Sequence, residues 1–220
     1  MKSFHNQNHK HMIPQIHLTP KRLITRAQTD TRAFPLNEEN MPKGDGTPAS
    51  IHKIIAFLEV EKSKRYIRTA ASTYCNIYAY DYACLMGAYL PRVFWTADAI
   101  KEPNFVPVYG KTLIEMNANA LYDWFKTRSA EFGWREVNTT EAQQLANQGK
   151  CVIMVAANKN RARSGHIVAV VPETDKVKSV GASGIIIQPV MSQAGAVNKR
   201  YFNSKWWDGH EAKRIYVWEH

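Results

Sequence analysis

Apolar residues at 51, 54, 55, 58 and 60 in SIHKIIAFLEVEKSKRYI recur at helical spacing, which predicts an amphipathic helix opening behind Ser50 as its N-cap. The next block, STYCNIYAYDYACLMGAYLP, is apolar on nearly every face between a Ser72 or Thr73 cap and Pro91. A helix without a polar face predicts a buried one. Prolines and aromatics between Pro91 and Gly110 predict an irregular connection. NANALYDWFKTRSAEFG then reads as an amphipathic helix ending at Gly133, and TTEAQQLANQG as a short helix with a Thr cap and a Gly stop.

Beyond residue 150 the period changes. CVIMVAA (151–157), HIVAVVP (166–172) and GIIIQPV (184–190) are strand-like runs separated by loops rich in Lys, Arg, Asn, Ser and Gly, and IYVW near the C-terminus predicts a closing strand. Helices first and an antiparallel meander second make an α+β layout. Residues 1–49 show no sustained periodicity and read as a polar, basic arm, leaving 50–220 as the folded domain.

Composition narrows the function classes. A 45% hydrophobic content suffices for one substantial core, and the net charge of +10 favours anionic partners. The basic residues are scattered, without a zinc-finger, RNP or helix-turn-helix signal, so nucleic acid is not the expected partner. No run approaches the roughly eighteen apolar residues of a spanning helix, so no membrane insertion is expected. MKSFHNQNHKHMIPQIH lacks an apolar export core, so the expectation is synthesis in the cytoplasm and delivery elsewhere by a signal-less route. His5, His9, His11 and His17 have spacings that match no standard metal site, and no metal or organic cofactor is expected.

Three cysteines without a CxxC pair argue against a disulfide framework. Cys75 opens the buried helix, where unpaired amides and the positive dipole end favour a thiolate. Cys84 falls on the opposite side of that helix and Cys151 opens a strand, so both read as core. His166 heads an apolar strand behind the loop NKNRARSG and is the candidate general base for Cys75. A third group should orient the imidazole. With the turn placed at 173–183, residues near 190–192 lie opposite His166, which makes Gln193 the first choice, with Ser192 and Gln188 behind it. Asp81 lies too far round the helix to reach the thiol and reads as a buried carboxylate accepting from backbone or Tyr hydroxyls. Oxyanion donors would be the Cys75 N–H with Tyr74 or Tyr66. Trp95, Trp124, Trp134, Trp206 and Trp207 are read as core aromatics, with cleft lining as the alternative.

At CNIYAYDYA, SGHIVAVVPE and QPVMSQAG the chain resembles the NlpC/P60-like cysteine peptidases and amidases, over roughly residues 50–200. The resemblance implies a papain-like core, with the Cys on a buried helix packed against an antiparallel sheet. It also implies cleavage of amide bonds in bacterial peptidoglycan stem peptides, as in small basic members that serve as antibacterial type VI secretion effectors or phage lysins. Such a role would bring in an immunity protein and a secretion carrier, with the periplasm of a target cell as the place of action. Under it Arg161 and Arg163 are candidates for stem-peptide carboxylates and Trp124 for substrate contact. The family's usual third residue is His, Asn or Asp, so Gln193 departs from the pattern, and the N-terminal arm is not part of the common core. Two other readings stand beside this one: acyl transfer on the same fold, as in transglutaminase-like relatives, and a basic nucleic-acid-binding protein in which Cys75 and His166 are structural.

Overall fold

Strands that are apolar at every position need cover on both faces, and the sheet of this chain has it. The structure, a computed structural model, describes residues 40–95 and 112–219. The four arm histidines, most of the arm, and residues 96–111 of the connection lie outside the described residues. The elements in chain order are α1 (Pro48–Leu58), α2 (Cys75–Leu85), β1 (Val93–Trp95), β2 (Leu113–Glu115), α3 (Ala118–Arg128), a 3₁₀ turn (Ser129–Phe132), β3 (Trp134–Val137) and α4 (Thr139–Asn147). There follow β4 (Val152–Ala156), β5 (His166–Val170), β6 (Val180–Ala182), β7 (Ile185–Gln188), β8 (Met191–Gln193), β9 (Lys199–Phe202) and β10 (Arg214–Trp218). This is an α+β architecture around a six-stranded antiparallel sheet of order β3-β10-β4-β5-β8-β9.

Side chains alternate across the sheet and divide the core in two. Ile153, Val155, Ile167, Ala169 and Tyr216 pack with α1, α2 and α3 on one face. Val152, Met154, Val168, Val170, Met191, Ile215 and Val217 face the other way, under Ala142 and Ala146 of α4 and beside Trp206 and Trp207. The near-continuous apolar runs of β4 and β5 follow from this double cover.

Several expectations shift. The N-cap of α1 is Thr47, which accepts from the Ser50 N–H ahead of Pro48 at the first helical position, and α4 is capped by Asn138 rather than a Thr. The folded body starts before residue 50, since the Gly44 N–H bonds the Leu85 carbonyl and Gly149 lies directly against the backbone of Gly46. Cys151 is buried as expected, but Cys84 is exposed, because the wheel position opposite Cys75 points away from the sheet. Asp81 is buried as read: it accepts from Arg65 Nε at 2.6 Å and Nη2 at 2.9 Å, and from the Tyr66 hydroxyl at 2.7 Å.

The largest correction concerns the third strand of the meander. Residues 185–188 do not join the main sheet. They pair with 180–182 as a separate hairpin, turned at Ser183 and Gly184, whose φ values of 51° and 78° match a two-residue hairpin turn. The strand that pairs with β5 is the next one, β8, with Ala169 opposite Ser192 and Val170 opposite Met191.

Candidate active site

α2 begins differently from its neighbours. Asn117 and Asn138 cap α3 and α4 with side-chain oxygens, and Thr47 caps α1, whereas Tyr74 at the start of α2 gives no side-chain cap. The amides of the first turn therefore stay available, and the sulfur of Cys75 takes them up: the N–H groups of Asn76 and Cys75 lie on it and favour the thiolate.

A third amide comes from the sheet. The Val171 N–H donates to the Val190 carbonyl, so odd-numbered amides of β5 point toward β8. Pairing with β8 ends at Ala169 and Ser192, which leaves the Ile167 N–H without a strand partner, and it donates to the Cys75 sulfur instead. The β5–β8 ladder stops where the thiol sits, one residue from His166 along the chain. Burial outweighs the three amides. Cys75 is 5% exposed, and desolvation, aided by the negative charge of Glu115, pushes its thiol up to about 11. The first-turn amides thus do not produce a standing thiolate, contrary to the expectation from helix position.

His166 is held from several sides. Its Nε2 lies 2.8 Å from Gln193 Oε1, and Gln193 Nε2 donates to the Val197 carbonyl at 2.9 Å. Since the amide end of Gln193 is committed to Val197, its oxygen faces the imidazole. The neutral ring then carries its proton on Nε2 and leaves the Nδ1 lone pair as the base. Trp206 stands edge-on to the ring at 4.8 Å and shields this pair. Burial lowers the His166 pKa from its ordinary value, opposed by the Gln193 hydrogen bond. At neutral pH the resting pair is a thiol and a neutral imidazole. Among the described residues no hydrogen bond joins Sγ to the ring; apo catalytic pairs often tighten only around substrate.

Residues missed in the sequence reading carry the backbone around His166. A Cβ on Gly165 would lie 2.6 Å from both the Ala156 carbonyl oxygen and Asn119 Oδ1, so only glycine fits before the histidine. Asn119 accepts from the Asn158 N–H at 2.9 Å and donates to the Arg163 carbonyl at 2.9 Å, tying loop 158–165 to α3. On the far side, Asn198 accepts from the Gly195 N–H at 2.9 Å and donates to the carbonyls of Val60 and Tyr66 at 2.8 and 3.1 Å, which seats Gly195 against the imidazole. The Gly-His dipeptide was a visible signal. Nothing in the one-dimensional pattern marks Asn119 or Asn198.

The remaining candidates divide. Gln193 is the partner of His166, though for a reason the expected register does not supply: pairing along β8 puts residue 195 opposite His166, and Gln193 reaches it diagonally. Ser192 is excluded as third residue, because it faces α2, is fully buried and bonds the Tyr78 hydroxyl. Gln188 pairs with Val180 in the separate hairpin, away from β5. Tyr66 is excluded as an oxyanion donor because its hydroxyl is spent on Asp81 and it is 1% exposed. Tyr74 immediately precedes the nucleophile and is half-buried.

Arg161 is bound to Asp123 at 3.1 Å and Glu211 at 3.0 Å, so its charge is already matched, whereas Arg163 is exposed. Trp124 packs among Tyr89, Phe125 and Phe132 rather than at the imidazole, and Trp134 is core. Trp206 lies against His166 and Trp207 against Trp206; the side chain of Trp95 lies outside the described residues. No protein-family model matches the chain, and a search of curated proteins found no match.

Proposed function

We propose that the chain is a cysteine hydrolase of papain-like design that cleaves amide bonds in peptidoglycan stem peptides, acting as an antibacterial effector or lysin. The observation that carries the hydrolase reading is the Ile167 N–H that lies on the Cys75 sulfur, one residue along β5 from the Gln193-held imidazole of His166. The peptidoglycan substrate rests on the sequence resemblance and on the basic charge of +10, which suits an acidic polymer.

In this reading substrate binding brings a carbonyl carbon to Sγ, and Nδ1 of His166 accepts the thiol proton as the carbon–sulfur bond forms. Burial that raises the thiol pKa also keeps His166 neutral, so the base is present before the proton must move. The developing oxyanion is met by amides of the uncapped first turn, the Cys75 N–H foremost. The imidazolium passes its proton to the leaving amine as the carbon–nitrogen bond breaks. Water, deprotonated by the same nitrogen, then hydrolyses the thioester. Gln193 holds the ring through both halves of the cycle.

Mass spectrometry of purified cell-wall digests with wild type, Cys75→Ala and His166→Ala tests the reading. New muropeptide fragments from the wild type alone are expected, and equal fragments from all three proteins, or none from any, would refute it.

A further inference from the structure

The sheet register places a lysine in line with the catalytic histidine. Arg214 lies opposite Val155, and Ala156 lies opposite His166, so Lys213, one residue before Arg214, continues the row Lys213, Ala156, His166 across β10, β4 and β5. Two strand spacings separate its Cα from that of His166, about 10 Å. The faces agree as well. Ile215 and Val217 share a cluster with Met154 and Val168, so alternation puts Lys213 on the face that carries His166.

Lys213 is half-buried, and its Nζ sits 4.7 Å from the centroid of the Trp207 ring. Trp207 meets Trp206 edge to face, and Trp206 meets His166 in the same way, so one aromatic wall runs from the lysine to the imidazole. The charges nearby are Lys205, paired with Asp208 at 2.6 Å, and Arg214, paired with Glu136. Glu211 is held by Arg161. Among the described residues Lys213 has no carboxylate partner. Burial and the neighbouring Lys205 both lower its pKa, which marks an ammonium short of a counter-ion. A cation stripped of part of its water and matched by no anion among the described residues costs free energy that the indole offsets only in part, and a ligand's negative charge would supply the rest.

We infer that Lys213, with Trp207 as its floor, is an anion subsite that receives a carboxylate of the substrate on the β4 side of His166. Lys213 and His166 are about 10 Å apart at Cα, the span of about three residues of extended peptide, so carboxylates two to three residues from the scissile amide are the ones to probe. This assignment rests on the hydrolase reading for its catalytic meaning, but the subsite itself is open to direct measurement.

The probes are a synthetic peptide with a free carboxylate three residues from the cleaved amide and its carboxamide twin. The wild type is expected to favour the acid by about tenfold or more in kcat/KM. Lys213→Met should bring the ratio to about one, while Lys213→Arg should keep most of it. Absence of preference in the wild type, or an unchanged ratio in Lys213→Met, would overturn the assignment.

Titration of tryptophan fluorescence with both peptides, in wild type and Lys213→Met, separates this idea from the catalytic one. If neither peptide is cut yet the acid alone quenches the wild type in a Lys213-dependent way, the subsite stands and the hydrolase reading falls. If the amide twin is cut as fast as the acid and the acid gives no Lys213-dependent quench, the subsite falls and the hydrolase reading stands. If neither peptide is cut and neither quenches, both fall.

Discussion

Asp81 and Cys75 lie six residues apart on α2, and both are withdrawn from water, yet their surroundings prepare them for opposite ends. The Asp81 carboxylate is saturated: a two-pronged bond from Arg65 and the Tyr66 hydroxyl fix it from two directions. The Cys75 sulfur is met by three amides but no countercharge, and burial leaves its thiol near 11. A buried polar group whose needs are met by the protein locks a structure. One met by amides but by no countercharge stays a neutral thiol, and in the proposed reaction it is the group that must give up a proton.

The sharpest way to break that contrast is at the sulfur. Cys75→Ala should abolish muropeptide release, a fall of about 10⁴-fold or more, since removal of a nucleophile from a unit of this kind forfeits most of its catalysis. Its urea midpoint should stay close to wild type, because a small apolar side chain replaces a small buried thiol. Asp81→Asn should do the reverse, costing about 3–5 kcal/mol of stability by stranding Arg65 while leaving kcat near wild type below the melting range. Denaturant unfolding and initial rates on the same samples read both; a large loss of kcat in folded Asp81→Asn would erase the distinction.

Smaller effects sharpen it. Gly165→Ala should push loop 158–165 away from Asn119 and displace His166, lowering kcat by about a hundredfold if the shift approaches 1 Å. Gln193→Ala should cost roughly tenfold to a hundredfold through loss of ring orientation, with Gln193→Asn recovering part if the shorter amide still reaches. The smallest expected signal is in the pH profile. Burial lowers the His166 pKa, so its neutral, proton-accepting form persists below pH 6.5 and the acid limb of kcat/KM should fall beneath that value. Gln193 opposes the shift, and Gln193→Ala should therefore move the limb lower still. By linkage, a folded-state pKa below the unfolded one means the native state loses stability as pH drops from about 6.5 toward the folded value. An acid limb above 7 would contradict the assignment of His166 as the base.

Much of the candidate site's placement was readable from residues. Cys75 opens the buried helix, His166 opens an apolar strand behind Gly165, and Gln193 bonds His166. The errors cluster where pairing, not propensity, decides. Residues 184–190 have the composition of a core strand, but Ser183 and Gly184 fold them back onto 180–182, and the main sheet resumes at Met191. Gln193 bonds His166 all the same, because a diagonal contact absorbed the register error. Tyr66, Ser192 and Arg161 looked available in sequence, and each is committed to a partner well separated along the chain, while Gln188 is turned away by its own hairpin.

Sequence by itself determined the α+β order of elements, the buried character of α2 and the double-sided apolar strands, and it singled out Cys75 and His166 as candidates, because these follow from local periodicity and residue chemistry. Only the tertiary structure decided that β5–β8 pairing stops at Ala169 and that the Ile167 amide meets the sulfur. It also decided that Asn119 and Asn198 brace the histidine from both sides, and that Lys213 falls in its row. Those depend on strand register and on bonds between residues up to 138 positions apart, such as that from Asn198 to Val60. No local pattern encodes them, because their energy exists only once the distant partner is in place.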